Sequence, residues 1–255
     1  MPLSNWYRPT QRSLFTFAMA SPKLLPLETG VKPRRKHSSA ANSYHHGDLR
    51  NALISEGRRL LEEVGLRDMS LREVARRLGV SEAAPSRHFD GKVALLAAIA
   101  QSGYDELAHE RQKVLADARP PLEAMRQMMT VYIEFAQNHA GIFYLMAGPK
   151  IIDRNIYPDL LQSSNVSFTL FADAVCAFAK IHGWPKSQHG AVVIAAWATE
   201  HGLANLILSN RLPRADYPVP IAEMIDSSLA MLSAGIAAGP RRVNEMRGSK
   251  PRKPL

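Results

Sequence analysis

Ser86, Arg87 and His88 stand side by side in the run Ser81-Glu82-Ala83-Ala84-Pro85-Ser86-Arg87-His88, which is nearly bare of large apolar groups. Hydroxyl, guanidinium and imidazole groups on a helix that buries little suit a groove-reading element of a DNA-binding protein. The residues before this run supply its frame. Ser70 and Glu73 have the S-x-x-E spacing of a capping box, in which each side chain satisfies a backbone donor at the other position. Leu71, Val74, Ala75 and Leu78 then recur at helical spacing. Gly79 stands where a left-handed C-terminal residue is wanted, Val80 plugs the turn, and Ser81 caps a second helix from about Glu82 to His88. Pro85 loses a backbone donor near the fourth position of that helix, which predicts a short helix with a distorted first turn. Two helices joined by a tight Gly-Val turn have the helix-turn-helix shape. Helix–glycine–helix pairs also occur in all-α proteins that never meet DNA, so the flanks must decide.

Upstream, Leu49, Ala52, Leu53, Leu60, Leu61 and Val64 trace an amphipathic helix that Gly65 closes. Downstream, Lys92 opens another helix carrying Val93, Leu95, Leu96 and Ile99. YHHGDLRNAL at 44–53, LREVARRLGVS at 71–81 and AAPSRHF-x-x-K-x-x-LL at 83–96 together resemble the DNA-binding domain of the TetR family of bacterial transcription regulators. The resemblance covers residues 44–100, with the reader at about 69–89. It implies phosphate-positioning contacts from Ser70 and Lys92, the latter helped by a helix N-terminus. It also implies base-edge contacts from Ser81, Glu82, Ala83, Ser86 and Arg87. Arginine suits guanine, glutamate accepts from cytosine, and an alanine methyl meets a thymine methyl. Many members carry a phosphate-touching tyrosine where this chain has Ser86, so that contact passes to Arg87 or His88. Arg87 is the expected largest contributor, and Phe89 reads as core.

Positive charge is concentrated at the ends. Of a formal net charge of +9, residues 1–43 hold seven Lys/Arg against Glu28 alone, and 240–255 hold six against Glu245. Both ends read as disordered basic extensions, and Lys32-Pro33-Arg34-Arg35-Lys36 is a segment able to track phosphates in a salt-dependent way. The run Leu14-Phe15-Thr16-Phe17-Ala18-Met19-Ala20 imitates a signal-peptidase site, but it is short and interrupted by Thr16. It reads as an unfolded arm, or as a start codon placed too early. The single cysteine, Cys176, lies in an apolar run, which excludes an internal disulfide and fits a buried, inert thiol in a reducing compartment. No stretch reads as the roughly 20 apolar residues of a membrane span.

Residues 101–239 are helical by pattern, and sustained strand-like alternation is missing. The fold expected is all-α with about nine helices: an N-terminal reader and a larger helical effector-binding and dimerisation domain. Palindromic operators ask for a homodimer. Ala191, Ala195, Ala198, Gly202 and Leu206 offer a close-approach seam, with Met224, Leu229 and Leu232 on the following helix. By the resemblance, these two C-terminal helices pair into an intersubunit four-helix bundle. Met128, Tyr132, Phe135, Phe143, Met146, Phe168 and Phe171 form a soft aromatic set suited to a small hydrophobic or aromatic effector, with plain core as the other reading. Trp197 and His201 share a helical face at i, i+4, and the Trp-x-x-x-His-Gly run resembles a TetR subfamily signature.

The sequence offers no metal-site spacing, phosphate loop or nucleophile elbow, so no cofactor, metal or enzymatic activity is expected. An enzyme would have to draw on His139, Glu134, Glu200 and His201, and the adjacency of the last two predicts that they point to different sides of one helix. The function expected is a cytoplasmic, nucleoid-associated, sequence-specific transcriptional regulator, a repressor released from double-stranded operator DNA by a small effector. A ligand-independent activator or architectural DNA protein is the alternative, and an enzyme on a borrowed fold is a weaker one.

Overall fold

Residues 49–148, 151–209 and 219–246 are described by the computed structural model, and every regular element among them is helical. The expectations for residues 1–43 and for 247–255 lie outside the described residues. The first helix, α1 (Leu49–Asp68), is broken at Gly65, whose φ of 74° and ψ of 174° leave the helical region. Next comes α2 (Leu71–Leu78). Ser70 caps it with extended backbone, and its Oγ accepts from the Glu73 amide at 3.2 Å. Only this half of the expected capping box forms, because the Glu73 carboxylate turns to Arg76 and Arg77 instead. Gly79, at φ 68°, ends α2 in left-handed backbone, and the Val80 amide reaches back to the Ala75 carbonyl at 3.1 Å.

The second reader helix is shorter than its sequence suggests. In place of a helix over 82–88 there is a turn at Ser81–Ala84 followed by a 3₁₀ helix at Pro85–Arg87. Pro85 accounts for this: it has no amide to give an α-helical bond, and it is buried with Ala84 under the turn. Phe89 packs into the core, as expected.

The long α3 (Gly91–Ala116) runs straight through the boundary expected at 100/101, so the reader and the rest of the fold share one rod. Both α4 (Pro121–Asn138) and α6 (Pro158–Ile181) start on proline, whose missing donor costs nothing at a first helical position. Between them lie the short α5 (Ala140–Ala147) and a 3₁₀ turn at Arg154–Ile156. The chain continues through α7 (Lys186–Ser209), α8 (Ile221–Ala237) and α9 (Gly239–Met246). The tail expected from residue 240 therefore opens with a helix.

Two apolar cores result. One gathers Leu53, Leu60, Val74, Phe89, Leu95 and Ile99 with Phe135, Ile142, Phe143 and Met146, and so joins the reader to α4 and α5. The other gathers Met125, Met128, Met129, Phe171, Val175, Val193 and Leu229 from α4, α6, α7 and α8. A second tie crosses from reader to bundle. The Glu62 carboxylate on α1 accepts from the Gly141 and Ile142 amides at 2.8 and 2.9 Å, which caps the N-terminus of α5. Beside it, Arg58 of α1 pairs with Glu106 of α3, which in turn meets His139 at 3.3 Å. By length and composition α6 and α7 are apolar enough to cross a membrane, contrary to the sequence expectation. In this fold each buries one face in the second core.

Candidate DNA interface and half-open cavity

The turn and 3₁₀ helix bring Ser81, Glu82, Ala83, Ser86, Arg87 and His88 to the surface together, all exposed, with Ser70 exposed nearby at the start of α2. Ser86 Oγ donates to the Ala83 carbonyl at 2.8 Å, which stiffens the turn. Glu82 is matched by Arg72 at 3.2 Å. Arg76 and Arg77 are held by Glu73, and Arg77 also by Glu63 at 2.5 Å. Those two arginines keep the Glu73 carboxyl well below its usual range, at about 2. Arg87 makes no ion pair among the described residues. Lys92, expected on a phosphate, is half-buried and donates to the Leu66 carbonyl at 2.8 Å. The kink at Gly65 presents that carbonyl, and a cation at the end of a helix is electrostatically favoured.

A cavity of about 400 Å³ lies between α3, α4, α6 and α7. Of the residues expected around an effector, Tyr132, Met146, Phe168, Trp197 and His201 line it. Four do not. Met128 and Phe171 belong to the second core, and Phe135 packs on His139. Phe143 stands behind the wall, edge-on to Tyr132 at 5.4 Å. Helical periodicity marks these as inward-facing but says nothing of which inward group meets a void. Trp197 stacks on His201 with ring centroids 5.4 Å apart, and Phe168 meets Trp197 edge-on at 6.2 Å. Tyr132 Oη lies 3.0 Å from His201 Nδ1. Burial lowers the His201 pKa and raises that of Tyr132. The phenol therefore stays protonated beside a neutral imidazole, and the bond through Nδ1 leaves the His201 Nε2 as the ring nitrogen not engaged by Tyr132.

Two residues that periodicity could not single out sit deepest. Arg111 of α3 and Glu200 of α7 meet at 3.3 Å with side chains 3% and 1% exposed. Arg111 also donates to the Ser167 carbonyl at 2.8 Å and to Ser167 Oγ at 3.2 Å. Arg111 Nε and Glu200 Oε2 are buried and lack hydrogen-bond partners among the described residues. Burial pushes the Glu200 carboxyl up to about 8 against the opposing pull of Arg111, and it lowers the Arg111 pKa. Glu200 and His201 line the same cavity, which corrects the expectation that adjacent positions must diverge. One helical step turns only about 100°, narrow enough for a wide void to span. At the outer end Arg154 gives one terminal nitrogen to both Tyr104 Oη and the Met146 carbonyl, each at 2.5 Å.

On an adjoining face of α7, Ala191, Ala195, Ala198 and Leu206 are exposed and Gly202 is half-exposed. Met224 and Leu232 of α8 are partly buried against their own core. Leu229 is only 2% exposed and faces its own core, so it leaves the expected dimer set, and Met231 at 74% exposure is the outward residue there. Cys176 is half-buried, and desolvation followed by the nearby Asp173 charge raises its thiol pKa, which lowers its reactivity.

Two family models match the chain. Residues 53–99 match the bacterial regulatory proteins of the tetR family, and 125–232 match a tetracyclin repressor-like C-terminal domain. The nucleoid occlusion factor SlmA of Vibrio campbellii is 26% identical over 83 residues; the match covers 32% of this chain and 42% of that protein. A Rhodococcus sp. RHA1 protein of unknown function is 28% identical, with a TM-score of 0.66, covering 77% of this chain and 99% of its own. The TetR family transcriptional regulator PfmR of Thermus thermophilus shares the fold at 18% identity and a TM-score of 0.54, covering 71% of this chain and 97% of its own.

Proposed function

The chain belongs to the TetR family and is a DNA-binding transcriptional regulator, and from that premise we propose that it is a homodimeric repressor released from a palindromic operator by a small effector. In this reading two readers enter successive major grooves, about 34–36 Å apart. Ser81, Glu82, Ala83, Ser86 and Arg87 meet base edges, while Ser70, His88 and Lys92 hold the backbone. The exposed face of α7 with α8 pairs across the two-fold axis. The protein works on the bacterial nucleoid in the cytoplasm.

The observation that carries the effector half is the single helix α3. Its first turn holds Lys92 beside the reader, and roughly 28 Å along its axis Arg111 enters the cavity. A ligand that changes how α3 sits against α7 changes the reader's angle, and a differential affinity worth about 1–3 kcal/mol is enough for a working switch. A solid core would favour the ligand-independent architectural reading; the cavity weighs against it. The test is a mobility-shift assay with the purified protein on the intergenic DNA beside its own gene. Wild type should shift one palindromic fragment, and Arg87→Ala should lose at least tenfold in specific affinity while sedimenting as the same dimer. An Arg87→Ala protein with undiminished specific affinity overturns the assigned contact.

A further inference from the structure

The polar lining of the cavity is unbalanced, and the imbalance points to a ligand charge. Two guanidinium groups reach it, Arg111 from the floor and Arg154 from the outer end, while Glu200 is the only acidic residue among its lining. Among the described residues Arg111 Nε is buried without a partner, and Arg154 commits one of its three nitrogens. His201 adds a ring nitrogen, Nε2, as its Nδ1 is engaged with Tyr132. Guanidinium groups therefore outnumber carboxyls two to one, and the one carboxyl meets Arg111 through Oε1 while its Oε2 lacks a partner among the described residues. The rest of the wall is Trp197, Phe168, Tyr132, Met146 and Ile194, an apolar surface in which the Phe168 and Trp197 rings stand edge to face. Aromatic walls alone would also suit a cation, but two guanidinium groups at the same void oppose one.

We propose that the cavity binds a monoanionic organic acid, its apolar body against Trp197, Phe168 and Tyr132 and its carboxylate on the free nitrogens of Arg154, under the field of Arg111. The proposal rests on the effector reading above and narrows it to one chemical class. Planar carboxylates match the guanidinium fork, which is the geometric reason for preferring a carboxylate over a diffuse anion. Glu200 does not stand in the way: a carboxyl raised to about 8 by burial is largely neutral at pH 7 and can itself donate.

The test uses the full-length protein and three matched probes: 1-naphthoate, methyl 1-naphthoate and 1-naphthylmethylammonium. Binding is followed by calorimetry and by quenching of Trp197 fluorescence, with Trp197→Phe as the control for its origin. The acid should bind at least tenfold more tightly than the ester or the ammonium. Arg154→Gln should weaken the acid by tenfold or more, leave the ester unchanged, and leave the unliganded melting midpoint within about two degrees. An acid that fails to bind, an ester or ammonium that binds as well, or an acid indifferent to Arg154→Gln overturns the proposal. Release of the shifted DNA fragment is read separately. Acid that binds through Arg154 without releasing DNA supports this ligand class and refutes the effector switch. Release by the ester or ammonium alone keeps the switch and overturns the acid.

Discussion

Replacing Glu200 by leucine strands the guanidinium of Arg111 in a site with almost no access to water. The residue would keep its bonds to the Ser167 carbonyl and Oγ at 2.8 and 3.2 Å, and its packing over the Phe171 and Tyr132 rings at 5.2 and 5.5 Å. Breaking a buried pair from one side costs about 3–5 kcal/mol, and these remaining partners place the loss near the lower end, about 3 kcal/mol. At about 2–4 °C per kcal/mol for a domain of this size, the melting midpoint should fall by about 6–12 °C. The double variant Arg111→Met/Glu200→Leu removes both charges and fills the space with apolar volume. It should recover wild-type stability or exceed it by about 1–4 kcal/mol, because the desolvation penalty goes with the pair. Urea denaturation followed by helical circular dichroism at pH 9, where a carboxyl that titrates at about 8 carries its charge, measures all three proteins. If Glu200→Leu is as stable as wild type, or if the double variant is as weak as the single, the two groups are not a coupled, desolvated pair.

The same carboxyl makes stability depend on pH in a defined direction. Its folded pKa of about 8 lies above the usual value, so the folded state holds more protons between roughly pH 4.5 and 8 and stability falls as pH rises through that window. Urea midpoints at pH 6 and pH 8 should show wild type losing about 2 kcal/mol relative to Glu200→Gln over that interval, and a parallel response in the two proteins contradicts it. Gly103→Ala should destabilise by about 1–3 kcal/mol, since its Cβ would lie 2.5 Å from Met146 Sδ and 2.7 Å from Ile142 Cγ2. Denaturant midpoints report the cost, and a neutral Gly103→Ala would mean that α3 and α5 have room to part.

The helices were legible wherever a cap and a period agreed. Ser70 and Gly79 bound α2 as their types predict, and prolines open α4 and α6. The reader departed from its pattern because Pro85 is a local rule that outranks the run around it. Trp197 and His201 could be paired from their spacing, since i, i+4 neighbours share a face. Arg111 and Glu200 could not, being 89 residues apart and unremarkable in their own helices. Periodicity identifies the inward side of each helix, whereas a void depends on how four helices lean together. That is why Met128 and Phe171 read as cavity residues and turned out to be filling.

The arginines flanking the reader arrive with carboxylates of their own. Glu82, Glu73 and Glu63 occupy Arg72, Arg76 and Arg77, and carbonyls occupy Lys92. On DNA, each cation that neutralises a phosphate frees a condensed counterion and steepens the fall of affinity with salt by about 0.9 in the log–log slope. Cations that must first leave an internal partner contribute less of that term. The described domain should therefore grip random sequence lightly and leave it quickly, so that residence time along the genome is set by the fit of one short turn.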